Sequence, residues 1–158
     1  MNAGKTTSAA YLVRGLAAAG HRVGTIKLTG TGAGGDLWLM KDAGAASVLD
    51  FTDAGFASTY LASVEDLEEI CRKLVAHSAA AGCDVIVCEL GDGIFQREVA
   101  EILRTPIFRR FFSQIVFSAS DPVGAVAGVD YLQQLGFRVA AISGSLSRSP
   151  LEIGRAHV

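Results

Sequence analysis

The sequence predicts an α/β domain: a three-layer parallel sheet with helices on both faces. Strand-like and helix-like patterns alternate along almost the whole chain, which is the order that right-handed crossovers between parallel strands require. The run Asp84 to Glu89 (DVIVCE) is apolar between its two terminal carboxylates, as a central strand buried on both faces is. Half of the 158 residues are hydrophobic and 18 are glycine, while only 19% are charged. The usual charged share is about 25%, so the balance favours a sheet covered on both sides with glycines spent on turns.

The elements follow in order. Ala9, Leu12, Val13, Leu16 and Ala17 recur at helical spacing, predicting a helix from Lys5 to Ala19 that Gly20 stops. Arg22 to Leu28 reads as a strand, and Thr29 to Gly35 as a glycine-rich loop. Asp36 is placed as the N-cap of a short helix through Ala43, ended by Gly44. A strand at Ser47 to Phe51 is followed by a loop through Asp53 and a weaker extended piece at Ser58 to Leu61. Ser63 and Asp66 frame the start of a helix whose buried stripe is Val64, Leu67, Ile70, Leu74 and Val75. After the strand at Asp84 to Glu89 come helical segments at Arg97 to Leu103 and Ile107 to Phe112, then a strand at Gln114 to Ser118. Asp121-Pro122 opens a helix that Gly136 ends, and Phe137 to Ile142 is the last strand.

Bulk properties narrow the function. A net charge of −2 gives no reason to expect nucleic acid or an anionic membrane as partner. Arg104, Arg109 and Arg110 lie among Phe108, Phe111 and Phe112, the pattern of an amphipathic surface helix. Cys71, Cys83 and Cys88 form no CxxC and read as reduced thiols, so a cytoplasmic setting is expected. No apolar stretch is long enough to span a bilayer. His21, His77 and His157 show no metal-ligand spacing, and no G-x-S-x-G elbow is present.

The chemical signal is Asn2-Ala3-Gly4-Lys5-Thr6-Thr7 at the start of the first helix. Gly4, Lys5 and Thr6 match the last three defined positions of G-x-x-x-x-G-K-[ST], the phosphate loop. Backbone N–H groups at a helix N-terminus form an anion-binding concavity that the helix dipole reinforces. In such a loop the glycine admits close approach of a phosphate, the lysine reaches the β- and γ-phosphates, and the threonine hydroxyl ligates Mg²⁺. Asn2 to Thr7 are therefore the expected nucleotide-binding residues. Lys27, Asp36, Asp53 and Glu89 all follow strands, at the edge where open parallel sheets bind ligands. Asp50 and Asp53 read equally well as turn residues, Asp36 as a cap and Lys27 as a strand-end charge.

The run GKTTSAAYLVRGLAAAGHRVGTIKLTGTG resembles the opening of dethiobiotin synthetase, and Val87-Cys88-Glu89-Leu90-Gly91-Asp92-Gly93 resembles the motif after that family's central strand. Ser120-Asp121-Pro122-Val123-Gly124 and the strand after it are similar to its C-terminal portion, and Gly35 to Ala45 is also similar to the adaptor protein of molybdopterin-guanine dinucleotide biosynthesis. The resemblance spans nearly all of residues 1 to 150 and implies a P-loop NTPase fold of that branch. It implies catalytic roles for Lys5 and Lys27, and an Mg²⁺ site made by Thr6, Asp36 and Glu89. Leu28 stands where a proline follows the lysine in dethiobiotin synthetase, and Ser143-Gly144-Ser145 lacks its base-reading asparagine. The carboxylation and ring closure of that enzyme are accordingly not expected.

The domain is placed at residues 1 to 151. Its helix-first start predicts that the first strand and first phosphate-loop glycine lie upstream of Met1, encoded as an apolar strand ending in Gly-x. Glu152 to Val158 matches a translated sequencing adapter (GAGATCGGAAGAGCACACGTC) and is expected to be a poorly packed, non-native tail. The expected function is binding of ATP, or GTP, with Mg²⁺, and use of the γ-phosphoryl group to activate a small carboxylate or amine. The alternative is a non-catalytic nucleotide-binding adaptor or switch, with the loop at Thr29 to Gly35 ordered by the triphosphate. The expected partners are the nucleotide and a small-molecule substrate, with a homodimer left open.

Overall fold

The computed structural model describes residues 3–151; the expectations for Asn2 and for the tail at 152–158 lie outside the described residues. The element order is α1 (Lys5–Ala18), β1 (Val23–Lys27), α2 (Gly34–Asp42), β2 (Ser47–Asp50), α3 (Val64–Ala80), β3 (Val85–Glu89), α4 (Arg97–Arg104), α5 (Pro106–Phe111), β4 (Gln114–Ser118), α6 (Pro122–Gln134) and β5 (Arg138–Ser143). A short 3-10 turn, Ser145–Arg148, follows. Every strand pair is parallel, so the chain is α/β as its alternation predicts.

The sheet is not continuous. One part has the order β2-β1-β3 and the other is β4-β5. β3 and β4 do not pair with each other, and a cleft of about 890 Å³ lies between them. α1 spans the division, touching both β3 and β4.

Alternation along β1 sorts its side chains to two cores. Ile26 and the following Leu28 join Leu67, Ile70 and Leu74 of α3 and Ile102 of α4 on one face. Val23 joins Ala10 and Val13 of α1 and Met40 of α2 on the other, with Val85 and Val87 of β3 against them. Each fully buried aliphatic side chain contributes about 1.5–3 kcal/mol. Phe117, Ala125 and Ile142 make a third cluster with Leu146 between α6 and the β4-β5 pair. Cys71 and Cys88 belong to the larger core, and burial pushes the Cys71 thiol up to about 12.

Two local expectations are corrected. Asp36 is not an N-cap: α2 begins at Gly34 after Ala33, and Asp36 sits inside the first turn, where its carboxylate pairs with Lys27. Ser58 to Leu61 is not extended. Leu61 has φ 59 and its N–H donates to the buried Glu98 carboxylate at 2.7 Å, so satisfying that carboxylate turns the chain. Among the described residues no helix is long and apolar enough to cross a membrane.

Candidate functional site

α1 opens at the carboxyl edge of both sheet parts. Gly4 takes the left-handed conformation (φ 84, ψ 24), which costs a residue with a Cβ but not glycine. The Ala3 carbonyl accepts from the Ser145 N–H at 3.0 Å, just beyond β5. Gly144 is the other half of this contact: with φ 107, a Cβ there would stand 2.2 Å from the Ala3 oxygen and 2.6 Å from that of Ala119. One turn into α1, the Ser8 and Ser143 hydroxyls lie 2.8 Å apart, and Ser118 donates to Ser8 at 3.3 Å. Toward the other sheet part, the Thr6 hydroxyl donates to Glu89 at 2.8 Å. The first turn of α1 is thus tied to the ends of β3, β4 and β5 together.

That turn carries no capping side chain and no acidic residue. Ser63, Gln96, Thr105 and Asp121 cap α3, α4, α5 and α6 by accepting from first-turn amides. α2 is the other helix among the described residues that lacks such a cap, and it also borders this edge. Uncapped first-turn amides are unmatched donors carrying the positive end of the helix dipole.

Lys27 is buried at the end of β1, and its ammonium forms an ion pair with Asp36 of α2. Glu89 ends the neighbouring strand directly opposite Lys27 in the register. Its carboxyl is held above the ordinary value of 4.5, first by burial; the Thr6 hydrogen bond and the Lys27 and Lys5 charges pull it down, and Asp36 pushes it up. The loops behind are fastened by the Gly91 N–H, which donates to the Thr29 hydroxyl at 3.0 Å, and the Gly30 N–H, which donates to Thr59 at 3.2 Å. Trp38, 64% exposed, stands on α2 with the Lys41 ammonium 5.4 Å from its ring centre.

No family model, curated protein or solved structure matches this chain.

Of the sequence-based site residues, Lys5, Thr6, Lys27, Asp36 and Glu89 come to one edge of the sheet, together with Ala3 and Gly4. Thr7 is exposed. Asp53 does not join them: it lies in the turn after β2, and its carboxylate accepts from the Asp50 N–H at 2.9 Å. Asp50 is the buried last residue of β2, opposite Lys27 in the register, and its carboxylate accepts from the Thr52 N–H at 2.8 Å. The Ser8, Ser118 and Ser143 group and the role of Gly144 went unread in the sequence. Lone serines at strand ends carry no spacing signal, and only the fold brings them together.

The residues suit a divalent cation in part. No group of three His, Cys, Asp or Glu side chains gathers among the described residues. Mg²⁺ does not need one, since it takes one or two carboxylates and fills its octahedron with phosphate oxygens and water. Thr6 and Glu89 are adjacent, and Asp36 lies across Lys27 from them.

Proposed function

We propose that this domain binds a nucleoside triphosphate, ATP in preference to GTP, with Mg²⁺ at the opening turn of α1. In this reading Ala3 to Thr7 form the closing part of a P-loop of the dethiobiotin synthetase-like branch, and the γ-phosphoryl group activates a small carboxylate or amine. The supporting observation is the start of α1. Its amides are uncapped and free of acidic neighbours, Gly4 is left-handed, and Lys5 and Thr6 follow at the carboxyl edge of the sheet. A polyanion is the ligand such a turn favours.

Each side chain then has a task. Lys5 and the first-turn amides neutralise the β- and γ-phosphates. Thr6 and Glu89, already joined by a hydrogen bond, would hold Mg²⁺, and the cation would supply charge neutralisation at the phosphates. The Lys27–Asp36 pair can exchange partners as the triphosphate arrives, the ammonium turning to the γ-phosphate and the carboxylate to the cation. Lys27 is the buried member of the pair, and in that exchange its ammonium would keep an anionic partner.

The test is titration of the chain with ATP and GTP, with and without Mg²⁺, repeated on Lys5→Ala. Removing one charge-assisted contact of about 1.5–3 kcal/mol should weaken binding about tenfold or more. Equal affinity in the variant overturns the assignment. Turnover of bound ATP on adding small carboxylates or amines separates the enzyme from the adaptor reading, in which the nucleotide stays intact.

A further inference from the structure

We infer that Thr59 is a positioning residue: it sets the loop after β1 over Lys27, so that the site distinguishes a nucleoside triphosphate from a diphosphate. The inference rests on the nucleotide reading and gives that site a specificity determinant outside the phosphate loop.

Loops from three strands meet above Lys27. Gly30, just beyond β1, lies over the lysine stem, and a Cβ on it would stand 3.7 Å from Lys27 Cε. From the β3 side, the Gly91 N–H donates to the Thr29 hydroxyl at 3.0 Å and to the Thr29 carbonyl at 3.2 Å. A Cβ on Gly91 would stand 2.7 Å from both Gly30 Cα and the Thr29 oxygen, so backbone meets backbone there with no room for a side chain. From the β2 side, the hydroxyl of buried Thr59 accepts from the Gly30 N–H at 3.2 Å.

The segment that presents Thr59 is itself constrained. Leu61, two residues on, is left-handed at φ 59, a conformation that residues with bulky side chains seldom adopt. Its N–H donates to Glu98 at 2.7 Å, and the Gln96 side chain donates to the same carboxylate. Glu98 is 2% exposed and enters no ion pair among the described residues. A buried carboxylate without a paired cation is unfavourable unless hydrogen bonds satisfy it, and non-glycine residues held at positive φ collect at ligand clamps and switch regions. Both features fix one short turn, closed by the Ala62 N–H on the Thr59 carbonyl at 3.2 Å, which brings the Thr59 hydroxyl to Gly30.

The consequence falls on one phosphate. The opening turn of α1 is bonded to Glu89, Ser118, Ser143 and Ser145, none of them in the loop after β1. Lys27 and Asp36 do depend on that loop: Gly30 stands over the first, and the chain runs on into α2, which carries the second. In the nucleotide reading these two residues meet the γ-phosphate and its cation. The Thr59 contact therefore bears on the triphosphate and not on the diphosphate.

The test measures dissociation constants for ATP and ADP, both with Mg²⁺, on the full chain and on Thr59→Val and Thr59→Ser. Valine keeps the volume and removes the acceptor; serine keeps the acceptor. The native chain should prefer ATP. In Thr59→Val that preference should fall about fivefold, as expected for one lost hydrogen bond, with ADP affinity unchanged, and Thr59→Ser should retain it. If Thr59→Val does not fold, Glu98→Gln takes its place: a neutral amide grips the Leu61 N–H less tightly than a carboxylate, and the preference should fall about twofold or more. An undiminished preference in the folded variant overturns the inference and leaves nucleotide binding standing. Equal loss of both affinities overturns it as well, since Thr59 would then be structural only, and so does a native chain that binds ATP and ADP alike. A native chain that binds neither overturns the nucleotide reading and this inference with it.

Discussion

Glu89 closes a strand whose other residues are apolar, and burial lifts its carboxyl above the ordinary 4.5 despite the Thr6 hydroxyl and two nearby ammonium groups. The folded chain therefore holds a proton on Glu89 more tightly than the unfolded chain does. Between the ordinary and the raised value the native state binds more protons, so stability falls as pH rises through that window. Glu89→Gln keeps an acceptor for Thr6 and removes the charge. Urea unfolding from about pH 4 to 8 should show a smaller loss of stability with rising pH in the variant, and a more stable protein near neutrality without ligand. An unchanged pH slope means that Glu89 is not the group responsible. This residue was legible in the sequence because a carboxylate ending a buried strand requires a partner. Asp36 was only half legible. The sequence signals a helix start near it but not that Lys27, nine positions earlier, would draw its carboxylate away from a capping role.

Element boundaries were the most legible level, for a chemical reason. α1, α2, α3 and α6 all end in the same pair of backbone bonds, the six-to-one and five-to-two pattern, around Gly20, Gly44, Gly82 and Gly136. Glycine past a helical run therefore marked the stops of α1, α2 and α6, while Gly82 after α3 went unread. The starts at Ser63 and Asp121 were equally readable. At α3 the Ser63 hydroxyl accepts from the Asp66 N–H at 3.1 Å while the Asp66 carboxylate accepts from the Ser63 N–H at 3.1 Å. Ser63→Ala should cost about 1 kcal/mol, lowering the melting temperature by about 2–4 °C for a chain of this size. A shift below one degree would mean that packing of Leu67, Ile70 and Leu74 alone sets where α3 begins. The segment at Ser58 to Leu61 was misread because its conformation answers to Glu98, 37 residues away from Leu61, and local pattern carries no trace of such a contact.

The division of the sheet belongs to the whole molecule. Alternation of strands and helices predicts parallel pairing, but it cannot say which strands are neighbours, and all pairings of five strands share one periodicity. Helices on both faces and the strand-end positions of Lys27 and Glu89 followed from parallel order, whereas Lys5 and Thr6 were read from the phosphate-loop pattern and the same strand-end reasoning misplaced Asp53. That β3 and β4 stand apart depends on which backbone groups find partners, a property of the assembled sheet. Among the described residues the Lys27–Asp36 pair is the only ion pair that joins β1 to α2, and two residues beyond Asp36 stands the sole tryptophan of the chain. An anion that takes Lys27 from Asp36 loosens the anchor of that helix, and the indole, already close to the Lys41 cation, changes its surroundings. Intrinsic fluorescence excited at the indole band should therefore shift on titration with ATP and Mg²⁺, and Asp36→Asn should shift the unliganded emission in the same sense. Emission indifferent to both would show that α2 holds its place without the pair. The molecule thus carries its own optical gauge, mounted on the helix that the charge exchange would release.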